Sequence, residues 1–352
     1  MKRVILVYML IACFSYGCRQ EKVEVFKDFP TVSNLNAYII KTPPVFNGVM
    51  ELVMLDDVLI AFDGMSDKFF HVFGSANLNY IGSYFSQGRG PFEETFIDPY
   101  FRRTNKNTII YRTDSKVKTF RYDAVAKEFE LINETEIPEE ILEMQQVFFI
   151  DDTFYCWDYF SESKVEFIGF REGSGSVFSF GTFVPEYKEL QGIEYNQALF
   201  ARILTVKPDQ KQFAVVYDKF PILRIYETRK GRLLKEVRYE NNQTFPMALI
   251  DKNPSRNDFD LVMQNYRKIK STNTYIYALY IGKSTGEIKQ RSKVLGDFSN
   301  EIHVWNWAGE PVKRILLDRD IFSFEVSPDD NALIASSINS SDELYHYTLS
   351  WD

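Results

Sequence analysis

Three cysteines in 352 residues leave almost nothing to cross-link. Cys13 falls in an apolar N-terminal run, Cys18 follows it, and Cys156 stands among aromatics in "TFYCWDY", where it reads as a small buried hydrophobe. A chain without internal disulfides must be held by burial, and 45% hydrophobic and 16% aromatic residues supply the material for it. Histidine is as scarce. His71, His303 and His346 each fall in a predicted third strand of a repeat, and no two are spaced as a metal-binding pair. No Gly-x-Ser-x-Gly occurs in a strand-turn-helix context, and "GSGSV" at Gly173 to Val177 reads as a hairpin turn, so a nucleophile elbow is excluded. The formal net charge of -8 argues against nucleic acid as a partner, because phosphate backbones call for a basic surface. Long amphipathic helical runs are also few, which excludes a helix bundle.

Against these absences stands a marked N-terminus. Lys2 and Arg3 precede "VILVYMLIACF", Val4 to Phe14, and Ser15 to Gly17 follow. An apolar run of that length falls short of the ~20 residues a spanning helix needs and reads as a signal peptide over residues 1–17. Cys18 directly after Gly17 resembles the lipid-attachment cysteine of a bacterial lipoprotein, although Ser15 and Tyr16 replace the Leu and small residue usual before it. Residues 18–30, with "RQEKVEVFKDFP", form the expected tether between lipid and fold, and loss of the leader takes the charge to near -10.

Beyond residue 31 the pattern changes to short aromatic and β-branched segments cut by Asp, Asn, Gly and Ser turns, the mark of an all-β protein. "DVLIAFDGMSDKFFHVFG" closes a strand at Asp63 and opens another at Phe69. The phrase returns in "NTIIYRTDSKVKTFRYD" with Asp114, in "TFYCWDYFSESKVEFIGF" with Asp158, and in "QFAVVYDKFPILRIYE" with Asp218. The steps between these aspartates are 51, 44 and 60 residues, a loose repeat suited to the four antiparallel strands of a β-propeller blade.

Six blades follow from the strand count, and residues 31–352 form one domain. The first opens at "MELVML", the second near "DPYFRR", the third at "QQVFFID" and the fourth at "LFARILTV". A fifth holds "TYIYALYIGK", "EIHVWNW" and "PVKRILLD". The sixth, from "IFSFEVSPDD" onward, has three strands only, and "LNAYIIK", Leu35 to Lys41, is expected to pair near Leu344 to Leu349 and close the ring. Closure removes a free edge, and Pro43 and Pro44 stop the strand. Residues up to Phe29 are expected to be dispensable for stability.

The passages "TYIYALYIGK" and "IHVWNWAGEPVKRILLDRDIFSFEVSPDDNALIAS" are similar to the closing third of TolB-like six-bladed propeller lipoproteins of Bacteroidetes. "GSYFSQGRGPFEE", Gly82 to Glu94, resembles their Gly-rich joint after the first blade, which NHL-type propellers share, with Phe92 where glycine is usual. The resemblance implies a cell-envelope lipoprotein, in the outer membrane or periplasm, with a binding or scaffolding role.

The joint is not a phosphate loop, since it lacks the lysine and helix of a Walker motif and the third glycine of a dinucleotide fingerprint. Gly88 and Gly90 let the chain turn, while Arg89 and Glu93 project from a loop where propeller ligands bind. Asp63, Asp114, Asp158 and Asp218 read as turn formers, or alternatively as carboxylates crowding the channel mouth to hold a cation or basic ligand. No acid, base and nucleophile set can be named, and no cofactor is implied. The expected function is therefore a monomeric, non-enzymatic scaffold for an envelope protein, peptide or glycan. A hydrolase or lyase acting on a sugar or lactone, with a divalent metal at the channel mouth, is the alternative, since propellers host both. If Cys18 carries the lipid, Cys18→Ser should move the protein from the membrane to the soluble fraction, and unchanged sedimentation with membranes would exclude lipidation there.

Overall fold

The computed structural model describes residues 23–43, 45–90, 92–105, 107–144, 146–157, 165–182, 200–240, 260–291 and 299–351. Three strands come first: β1 (Glu24–Phe26), β2 (Thr31–Leu35) and β3 (Tyr38–Lys41). Blade I holds β4 (Val49–Met54), β5 (Val58–Asp63), β6 (Lys68–Gly74), β7 (Tyr80–Gln87) and the short β8 (Glu93–Glu94). Blade II holds β9 (Arg102–Asn105), β10 (Thr108–Arg112), β11 (Lys116–Asp123) and β12 (Glu128–Glu136). Blade III holds β13 (Gln146–Ile150), β14 (Thr153–Trp157), β15 (Val165–Arg171) and β16 (Val177–Thr182). Blade IV holds β17 (Arg202–Val206), β18 (Gln212–Tyr217), β19 (Ile222–Glu227) and β20 (Leu233–Tyr239). Blade V holds β21 (Met263–Ser271), β22 (Tyr275–Ser284), β23 (Ser299–Asn306) and β24 (Pro311–Ile321). Blade VI holds β25 (Ser323–Val326), β26 (Ala332–Ser336) and β27 (Glu343–Thr348). The six-bladed all-β propeller expected from the repeats is thus present.

The second strands explain why the sequence reads as it does. A blade is covered on both faces by its neighbours, so its second strand is buried on both sides and becomes a continuous apolar run. VLIAFD in β5 and TFYCW in β14 are buried at every position. Six apolar clusters result, one between each pair of adjacent blades. The seam between blades II and III, for example, sets Ile110 and Val117 against Val147, Phe154 and Cys156. Cys156 is fully buried, and burial pushes its thiol up to about 12, which keeps it protonated and inert at neutral pH.

Ring closure falls where the sequence places it. β3 pairs antiparallel with β27, Leu344 opposite Ile40 and Tyr345 opposite Ile39, and serves as the fourth strand of blade VI. Lys41 reinforces the end of the pair by bonding Asp342 at 3.1 Å and Glu343 at 2.7 Å.

The segment before β3 departs from the expected tether. β1 adds to blade IV, parallel to β20, and β2 adds to blade V, parallel to β24, so the chain straps the rims of three successive blades. Between the first two straps Phe29 is buried, its ring 4.5 Å from His303, 5.7 Å from Trp305 and 6.0 Å from Tyr239. His303 lies under it, Nε2 to Glu301 at 2.8 Å and Nδ1 to the Tyr266 hydroxyl at 3.1 Å, and burial lowers its pKa against the opposing pull of Glu301. The burial of Phe29 argues against the expectation that residues up to it are dispensable, because their removal would uncover this apolar seam. Phe29→Ala should cost about 3 kcal/mol, the low end for a buried ring at a rim. Truncation through Phe29 should lower the melting temperature, and truncation through Lys41 should lower it further. Melting curves of the two truncations that coincide with the intact protein would contradict this.

Candidate functional site

Antiparallel strands fix which loops share a face. Second-to-third turns and blade-to-blade joints emerge together on one face of the disc, and first-to-second and third-to-fourth turns emerge on the other. The Gly-rich joint, the aspartate turns and the connection between β22 and β23 all belong to the first, the joint face.

At the joint, Glu93 folds back on its own loop and accepts from the Gly90 amide at 2.7 Å. A Cβ on Gly88 would lie 2.1 Å from the Glu93 carboxylate, so a larger residue there would displace the Glu93 side chain from its place on the loop. Glu93 is thus occupied by the loop, whereas Arg89 is exposed. Phe92 adopts φ +60° with its ring exposed. That is the left-handed conformation, which glycine adopts without the cost a side chain brings.

The aspartates follow the second strand of their blades rather than the innermost one, one strand farther from the axis. Asp63 is buried and accepts from the amides of Met65 at 3.1 Å and Asn47 at 2.6 Å. Asp114 accepts from the Thr95 hydroxyl at 2.6 Å. Asp218 meets Lys219 at 2.8 Å and Arg267 at 3.7 Å. Asp158 and Cys18 lie outside the described residues. Among the described residues no three His, Cys, Asp or Glu side chains stand together as cation ligands.

The channel holds a cluster that sequence reasoning missed. A cavity of about 70 Å³ is lined by five cations, Arg102, Arg103, Arg267, Lys268 and Lys270, and by two carboxylates, Glu51 and Glu325. All come from innermost strands, β4, β9, β21 and β25. Lys268 crosses to Glu51 at 2.8 Å and to the Met50 carbonyl at 2.8 Å. Lys270 pairs with the same Glu51, with Glu325 at 3.4 Å, and with the Leu52 carbonyl at 2.6 Å. Burial alone would raise the Glu51 pKa, yet Lys268 and Lys270 outweigh it and hold the carboxylate below its ordinary range. For Glu325 burial wins over Lys270 and raises it. Lys270, which burial would lower, is raised by Glu325 and Glu51. The signal available in the sequence was Arg-Lys-Ile-Lys at 267–270, an alternation that puts two cations on one side of a strand.

A second buried network joins blades III and IV. Glu166 accepts from Tyr217, Tyr226 and, at 2.7 Å, Arg224, which also bonds Glu236 at 2.8 Å. Burial raises the pKa of both tyrosines, and Glu166 adds to the effect, so they stay protonated donors. Every Glu166 oxygen is thereby occupied within the protein, the pattern of a structural clamp.

No curated protein matches the sequence. Among solved structures, the chain is similar to a Bacteroides fragilis protein described as exported, with 12% identity, a TM-score of 0.54, and coverage of 94% of this chain and 100% of the other. That likeness concerns the fold. The family model described as "TolB-like 6-blade propeller-like" matches residues 28–329, the span from the strapped N-terminus to the last blade, and the chain therefore belongs to the TolB-like six-blade propeller family.

Proposed function

We propose that this propeller is a non-enzymatic scaffold of the bacterial cell envelope, lipid-anchored through Cys18, that binds a protein, peptide or glycan on its joint face. The observation that carries the reading is the asymmetry of exposed apolar groups among the described residues. Val45, Met65, Phe92, Phe96, Tyr100 and Leu261 are all exposed on turns or joints of that face, while Val125 and Val177 are exposed at third-to-fourth turns of the opposite face and the remaining exposed apolar side chains lie on outer strands. Exposed aromatic and Met side chains among polar loops are the composition of recognition surfaces. Phe92 strengthens the case, because a bulky residue kept at positive φ costs stability and such costs concentrate at functional positions. The family and the exported B. fragilis protein support the envelope address. Arg89, exposed on the joint, extends the surface available to a partner.

Phe92→Gly relieves the backbone while deleting the ring, so it separates recognition from folding. A triple variant, Phe92→Gly with Phe96→Ser and Met65→Ser, should melt close to the wild type yet capture its envelope partners roughly thirtyfold less tightly, the loss of about 2 kcal/mol of hot-spot contacts. Full retention of those partners by the folded variant would place the binding surface elsewhere.

A further inference from the structure

The channel carries more positive charge than its own residues neutralise. Lys268 and Lys270 are matched by Glu51 and Glu325, and Arg267 faces Asp218. Arg102 and Arg103, adjacent on β9, form no ion pair within 4 Å of a carboxylate among the described residues, and Arg103 acts on Glu325 only through its longer-range charge. Arg103 reaches the Met54 carbonyl only at 3.5 Å. Arg102 donates through Nη2 to the Phe149 carbonyl, while its Nη1 is buried without a hydrogen-bond partner. Burial brings the Arg102 pKa down to about 10, which still leaves the group charged at neutral pH. A guanidinium does not escape burial by losing its proton, so the cost of its unsatisfied edge persists.

The complement that suits a planar fork of donors is an oxyanion, which can accept two of them at once. The adjoining cavity of about 70 Å³ is several times the ~10–15 Å³ that one water requires, room for a group of four or five heavy atoms. Both arginines line it. We infer that the propeller channel binds one small oxyanion at Arg102 and Arg103, the carboxylate or phosphate of a ligand that enters along the axis. The inference is independent of the joint-face reading, since it uses none of the residues of that surface except Tyr100 at the cavity wall.

Two titrations of the purified full-length protein at constant ionic strength test it, one with inorganic phosphate and one with acetate, read by calorimetry and by melting temperature. One saturable site is expected for at least one anion, and the tighter of the two identifies the ligand group. Arg102→Gln should weaken that binding about tenfold or more, the loss of a charge-assisted hydrogen bond. Arg121→Gln, a control on the exposed outer half of blade II, should bind as the wild type does. Should Arg102→Gln fail to fold, Arg103→Gln serves with the same expectation. Absence of saturable binding of either anion to the wild type, or binding that the channel variant leaves unchanged, overturns the inference.

Discussion

Every blade of this protein needs a neighbour on each side, and that requirement governs the rest of the structure. A second strand such as VLIAFD or QFAVVY has no polar face to offer water, so an open row of blades would leave both terminal sheets exposed. Bending the row into a ring satisfies all six seams at once. With no disulfide among the described residues, the ring is held by these seams and by the pairing of β3 with β27. The N-terminal strap extends the same logic outward. Parallel addition of β1 and β2 covers the outer edges of blades IV and V, and Phe29 fills the groove between them against His303 and Trp305.

Closure has a second consequence at the axis. Bringing six innermost strands together forces their polar side chains into a narrow space, where charge must be paired or it destabilises the fold. Glu51 answers for two lysines of blade V, and Glu325 of blade VI shares one of them, so the ion pairs tie blades I, V and VI across the channel. Away from the axis, the Glu166 network on second and third strands ties blade III to blade IV, with two tyrosine hydroxyls and Arg224 completing the carboxylate's bonds. Blade II stands apart, since the cations of blade V are paired with carboxylates whereas its two channel arginines form no ion pair among the described residues. An excess of that kind at the axis of an acidic protein suits an anionic ligand.

Much of the fold was legible in the sequence because second strands are uniform. Double-sided burial turns each into an apolar run, and an aspartate follows at the turn, so the repeat of Asp63, Asp114 and Asp218 marks the blades. The reading of these residues as turn formers suits what is seen, whereas the alternative at the mouth of the channel does not, because the second strand stands one place out from the axis and Asp63, Asp114 and Asp218 are taken up by their own turns or by neighbouring side chains. The innermost strand of blade V escaped notice because MQNYRKIKS has no apolar run: it faces the channel with cations on one side. β1 and β2 were hidden for a related reason, since edge strands half in water carry the charged composition of a linker. Only Phe26 and Phe29, two aromatics in a charged stretch, hinted that it docks.

The claim on which the account rests is that the strap and the last blade form one cooperative unit with the ring, and native-state hydrogen exchange tests it most directly. Amides of β3 that bond to β27 should exchange only by global unfolding, with the same protection as those of the central strand β26. Exchange of β3 and β27 by local opening, orders of magnitude faster than β26 and insensitive to global stability, would show that the ring is held shut by something other than its N-terminal strand.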